Sequence, residues 1–210
     1  MAKQRRGKSP RGYSRRGPVK EPYHVVLMVC EGSKTEPNYL RELRSIYRLS
    51  SANVIIVHPN ATDPLSIIHA AVRALNSGEY DRIYCIFDRD DHANYDLAVQ
   101  RIAEYPKKIF AINSVPCFEV WILLHFKYSS SPFSRTGMES ACDKVLREVA
   151  LHISDYKKGD MHIFDLLKGQ LDTAIDNAKR LEAENATTNS DNPGTQMHHL
   201  VEYLRALKRG

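Results

Sequence analysis

The chain has 210 residues, long enough to bury the core of one domain of the usual roughly 150 residues with extensions to spare. Its residues are 42% hydrophobic, yet no run nears the roughly 18 apolar residues of a membrane span and no apolar stretch follows the basic N-terminus, so a cytoplasmic chain is expected. The net charge of +5 is uneven: residues 1–20 carry eight Lys or Arg and no acid, which leaves 22 of the 30 basic residues against all 25 acidic ones in the remainder.

Residues 1–20 are rich in Gly, Ser, Pro and Arg, without an apolar period, and read as a flexible basic arm. Arg5, Arg6, Arg11, Arg15 and Arg16 suit an electrostatic grip on phosphate backbones through counterion release, or equally a solubilising tail. His24 to Cys30 (HVVLMVC) is a continuous apolar run, the pattern of a strand covered on both faces. It breaks into Glu31-Gly32-Ser33-Lys34-Thr35-Glu36-Pro37, and a helix follows to about Tyr47, with Thr35 as the expected N-cap and Pro37 in its first turn. Asn53 to His58 (NVIIVH) repeats the strand pattern, and Asp63-Pro64 opens a helix that Ser77-Gly78 closes. Arg82 to Phe87 (RIYCIF) is a third buried strand, ending in Asp88-Arg89-Asp90-Asp91. A helix over 95–104 and a strand over 108–112 complete βαβ units, which predict a parallel sheet.

Beyond the sheet, Phe118 to Phe126 (FEVWILLHF) fits a strand or a helix; Trp121, Leu123 and Leu124 favour a buried helix. Residues 128–137 read as a loop, 138–150, 163–181 and 195–208 as helices, and 183–194 as a polar, mobile connection. The expected organisation is an arm over 1–20, an α/β core over 21–127 and a helical C-terminal extension over 128–210 packed on that core. Cys30, Cys85, Cys117 and Cys142 lie far apart and show no zinc-site spacing, as reduced thiols would.

In an open parallel sheet, ligands bind beyond the carboxyl ends of the strands. Glu31 follows the first strand directly, and Asp88, Asp90 and Asp91 follow the third. Crowded carboxylates repel, so such a cluster calls for a divalent ion, and Mg²⁺ or Mn²⁺ suits an all-oxygen donor set. A solvated turn is the bland alternative for the aspartates. Glu119, set within an apolar run, is costly to bury unpaired; a metal role or a cation partner would relieve it. His125 in the same run reads as structural. Lys157 and Lys158 are both candidates for stabilising phosphate charge, or else a solvated pair; Lys158 is counted among the catalytic residues, while which of the two is the active-site lysine stays open. Lys34 and Arg89 flank the acids and could touch phosphates, whereas Asn192, Thr195 and His198 suit capping of the last helix.

A buried strand ending in Glu31-Gly32 and a later one ending in Asp88-Arg89-Asp90 resemble the Toprim pattern of topoisomerases, bacterial primases and overcoming-lysogenization nucleases. Within that class the chain resembles the RloB family, through Cys30 to Tyr39, Phe87 to Asp91, Pro116 to Phe126 and Asn192 to Thr195. The resemblance implies a Toprim-like sheet flanked by helices and a Mg²⁺-dependent nuclease of anti-phage or abortive-infection systems, often beside an AAA- or ABC-type partner ATPase. It also implies catalytic roles for Glu31, as metal ligand or general base, and for Asp88 and Asp90 as the metal-binding pair; Asp91 extends the motif, and which two of the three aspartates coordinate stays open. A haloacid-dehalogenase-like phosphatase is a lesser enzyme reading, because its DxD follows the first strand and Glu31 would be unexplained. The alternative outside enzymes is a nucleic-acid-binding or signalling subunit that keeps the metal site and cleaves only within a complex, or not at all. No GxxxxGK[ST] is present, so ATP-driven control would fall to a partner. Substrate type, the number of ions and homo-oligomer formation stay open at this level.

Overall fold

A computed structural model of the chain describes residues 24–51, 53–59, 63–89 and 94–207. The elements run β1 (Val26–Cys30), α1 (Thr35–Ile46), β2 (Val54–Val57), α2 (Pro64–Ser77), β3 (Arg82–Asp88), α3 (Tyr95–Ala103), β4 (Ile109–Val115), α4 (Glu119–Leu124), α5 (Ala141–Ala150), α6 (Ile163–Leu167), α7 (Leu171–Thr188), β5 (Gly194–Thr195) and α8 (Met197–Leu207). The strands form one sheet in the order β2-β1-β3-β4-β5, parallel except for β5, which runs antiparallel to β4. This is the α/β class the apolar runs predict: a mainly parallel sheet flanked by helices.

Successive strand side chains point to opposite faces, so β1 divides itself between two cores. Val26, Met28 and Cys30 join Tyr84, Ile86 and Ile112 under α1 and the C-terminal helices, around Tyr39, Trp121, Phe164 and Leu200. Leu27 and Val29 join Ile83, Cys85 and Phe87 under α2 and α3, around Ile67, Ile68 and Ala98. Burial on both faces is why these strands read as unbroken apolar runs. Asp63 caps α2 by accepting from the Ser66 N–H at 3.0 Å, and Gly78 ends it at φ 75°, a left-handed turn that glycine takes without a Cβ clash.

The structure settles Phe118 to Phe126 in favour of a helix and revises several boundaries. Thr35 is not the N-cap of α1; Lys34 precedes the helix, and the Thr35 hydroxyl accepts the Gly159 N–H at 3.0 Å, so a tertiary donor has claimed the capping oxygen. Helix α5 starts only at Ala141, behind a capping box between Ser140 and Asp143. The helix expected over 163–181 is split by a 3₁₀ turn at Lys168–Gln170, where Gly169 weakens the α-helical ladder. The polar stretch expected to be mobile continues α7 to Thr188, ends in left-handed Asn189, and then supplies β5. There Asn192 holds the Phe133 backbone at both ends, accepting its N–H at 3.1 Å and donating to its carbonyl at 2.7 Å. Among the described residues, no helix is long and apolar enough to cross a membrane.

Candidate active site

Strands β1 and β3 are neighbours in register, with Cys30 opposite Ile86, so Glu31 and Asp88 leave the sheet side by side. Glu31 donates its own N–H to the Ile86 carbonyl at 2.9 Å, and its Oε2 accepts the Asp88 N–H at 3.0 Å. The carboxylate of one strand thus caps the end of the next. Just beyond lies a cavity of about 420 Å³. Glu31, Glu36, Asp88 and Glu119 bring four carboxylates to its wall, against the ammonium groups of Lys34 and Lys158.

Each acid arrives by a separate device. Glu36 sits in the first turn of α1, and its carboxyl folds back over Gly32: a Cβ on residue 32 would lie 2.6 Å from the Glu36 Cδ. Glu119 opens α4 and is buried. Its Oε1 accepts from the Tyr156 hydroxyl at 3.4 Å, and its Oε2 lies 3.3 Å from the Lys158 Nζ. That oxygen has the ion pair but no well-directed hydrogen bond. Lys158 is aimed by the loop around it, because Gly159 donates to Thr35 and accepts from the Asn38 amide at 2.9 Å. Gly159 is at φ 87°, and a Cβ there would meet the Lys34 Cβ at 2.9 Å, so only glycine fits this clip between the loop and α1.

The electrostatics follow from this crowding. Burial, then Glu119 and Glu31, push the Glu36 carboxyl from its ordinary 4.5 to about 7. Burial pushes Asp88 well up as well, helped by Glu36, Glu119 and Glu31, while the Phe118 N–H opposes the shift by donating to it. Burial alone would lower Lys158, but the Glu119 carboxylate outweighs it and holds the ammonium protonated above its ordinary range. Tyr156 is pushed up by burial and by the same glutamate, so its hydroxyl stays a donor.

Five of the residues proposed from sequence therefore share one cavity: Glu31, Lys34, Asp88, Glu119 and Lys158. Asp90, Asp91 and the arginines of the arm (Arg5, Arg6, Arg11, Arg15 and Arg16) lie outside the described residues. Arg89 turns away: it pairs with Asp191, lies with its guanidinium carbon 5.2 Å from the centroid of the Tyr95 ring, and lines a second cavity of about 390 Å³ with Arg135 and Phe133. His125 is structural; its Nδ1–H donates to the Trp121 carbonyl at 2.9 Å, and burial lowers it to about 4, keeping it neutral. Thr195 does cap, accepting the Met197 N–H at 3.3 Å, and it also meets the Ser114 hydroxyl at 3.0 Å.

Sequence reasoning passed over Glu36 and His58. Glu36 lies five residues after Glu31 in the same motif, but only the fold-back over Gly32 puts it in the cavity. His58 ends the β2 run, and its Nδ1–H donates to the Cys30 carbonyl at 3.2 Å beside Glu31. A polar residue directly after an apolar parallel strand was the available signal.

The sequence profile of the family described as RloB-like protein matches residues 26–204. The chain belongs to the RloB-like family. The match begins at β1 and runs into α8, so the RloB-like region includes each carboxylate and lysine of the cavity. No curated protein and no solved structure matches the chain.

Proposed function

We propose that this RloB-like protein is a divalent-metal-dependent phosphodiesterase that hydrolyses RNA or DNA. One observation carries the reading: four carboxylates, one of them buried against a protonated lysine, line a single cavity at the ends of adjacent parallel strands. The donor set fits Mg²⁺ or Mn²⁺, because it is all carboxylate oxygen and because the buried Glu119 Oε2 still lacks a directed hydrogen bond. The carboxylates stand around the cavity without three of these residues bringing an oxygen apiece within 4.8 Å of one another, so an ion held there would keep several of its waters. Glu31, Asp88 and Glu119 would hold it, with Asp90 and Asp91 as further ligands. When bound, such an ion supplies Lewis-acid polarisation of a phosphodiester and neutralises its charge.

The chain's own groups cover the remaining roles. Glu36, folded back over Gly32 into the same cavity, is placed to take a proton from an attacking water. Lys158 keeps its charge and is positioned to offset negative charge developing on the phosphoryl oxygens. Lys34 on the rim and the basic arm would bind flanking phosphates, giving salt-sensitive affinity. Control by an AAA- or ABC-type ATPase partner and a cytoplasmic anti-phage role complete the proposal; both rest on the family resemblance.

The test is cleavage of labelled single-stranded RNA, transfer RNA and plasmid DNA with Mg²⁺ or Mn²⁺ against EDTA, for wild type, Glu31→Gln, Asp88→Asn and Lys158→Met. Metal-dependent cleavage lost in the first two variants and strongly slowed in the third is expected. Metal binding without cleavage, even with the ATPase supplied, would favour a binding or signalling subunit, and failure to bind metal would overturn the reading.

A further inference from the structure

Outside the acidic cavity, one cluster among the described residues brings three ligand-type side chains to a point. Glu182 on α7 faces His198 and His199, the second and third residues of α8. His198 Nε2 lies 3.2 Å from Glu182 Oε2, and His199 Nε2 lies 3.0 Å from Glu182 Oε1. The ligand atoms of all three residues fall within 4.8 Å of one another, and the two rings lean together with centroids 3.9 Å apart. His198 is buried, whereas Glu182 and His199 are half exposed, which leaves one side open to water.

We propose that these residues form a second metal centre, selective for Zn²⁺ or a similar late first-row ion, that staples α7 to α8. Two imidazole nitrogens and one carboxylate oxygen are a borderline donor set that such ions prefer, whereas Mg²⁺ takes oxygen alone. Ligand bonds of about 2.0–2.2 Å in a tetrahedral array put donor atoms roughly 3.3 Å apart; each imidazole nitrogen already lies near that distance from one of the two Glu182 oxygens, so small side-chain rotations bring the three donors onto one ion. The open side provides the fourth position for water.

The staple has a structural consequence. It closes the base of the segment from Asn189 to Gln196, which supplies β5 and carries Asp191. Asp191 in turn holds Arg89, the residue directly after Asp88. The centre uses no residue of the acidic cavity and stands or falls separately from the proposed activity.

The test uses the full chain, freed of metal by chelator. Zn²⁺ titration is expected to show one equivalent in wild type that is lost in His199→Ala and Glu182→Gln, and that excess Mg²⁺ does not displace. Co²⁺ should give visible d–d bands of a four- or five-coordinate site in wild type only. Zn²⁺ should raise the melting temperature of wild type and leave that of His199→Ala unmoved; His199 is exposed, so this variant is expected to fold. Equal Zn²⁺ binding by wild type and His199→Ala, or no Zn²⁺ bound by wild type, would overturn the proposal.

Discussion

Replacing Glu36 with Gln tests the central physical claim, that the cavity holds more carboxylate than it can keep ionised. A carboxyl that ionises at 4.5 in the unfolded chain and at about 7 in the folded one binds its proton more tightly when folded. Stability is therefore fullest below about 4.5 and falls as the pH rises through about 7. At 1.36 kcal/mol per pH unit, the folded chain loses about 3 kcal/mol across that window. Gln keeps the shape over Gly32 and removes the charge, so Glu36→Gln should match wild type near pH 4.5 and exceed it by about 3 kcal/mol near pH 8. Urea denaturation in EDTA across this range measures the difference. Saturating Mg²⁺ should shrink the gap, because the ion stabilises the wild-type carboxylates by mass action. A variant no more stable than wild type near pH 8, or a difference independent of pH, would refute the reasoning.

Lys158→Met leaves Glu119 buried without its counter-charge and should cost roughly 2 kcal/mol in urea denaturation, less than for a fully enclosed pair because the lysine is half exposed. Adding Glu119→Gln to it should recover most of that loss. Gly32→Ala would drive the Glu36 carboxyl out of its place, so carboxyl titration by ¹³C NMR should find Glu36 moved from about 7 back toward 4.5. Thr195→Val removes both the contact with the Ser114 hydroxyl and the acceptor of the Met197 N–H, and should lower stability by about 1–3 kcal/mol in thermal or urea unfolding.

The sheet was legible because its strands are covered on both faces, so burial left an unbroken apolar signature in the sequence. The same logic placed Glu31 and Asp88 at the carboxyl ends of their strands; that they meet follows from the β1–β3 adjacency, which only the structure shows. Glu119 stood out because an acid in the run FEVWILLHF has to be compensated. What stayed hidden depends on contacts between distant segments. Glu36 enters the cavity only through a fold-back that glycine permits, and Thr35 caps nothing because Gly159 has taken its hydroxyl. Lys158 stands apart from Lys157 only through the Gly159 clip. Strand β5 has two residues, too few to carry a period, and its pairing with β4 is set by where α7 ends.

Without an ion, the cavity is balanced by protons and a lysine: Lys158 offsets Glu119, Glu31 accepts the Asp88 N–H, and Glu36 and Asp88 hold protons beyond the usual carboxylate range. If a divalent ion enters as proposed, it replaces that balance, and the displaced protons must appear in solvent. Calorimetric titration of Mg²⁺ or Mn²⁺ in two buffers of different ionisation enthalpy counts them. Release should be substantial near pH 6, fall toward pH 8 as Glu36 ionises unaided, and be smaller in Glu36→Gln at the lower pH. Binding heats that do not depend on the buffer near pH 6 would mean that the carboxyls are ionised before the ion arrives. The cavity would then be a solvated acidic cleft, and Lys158 alone would be balancing it.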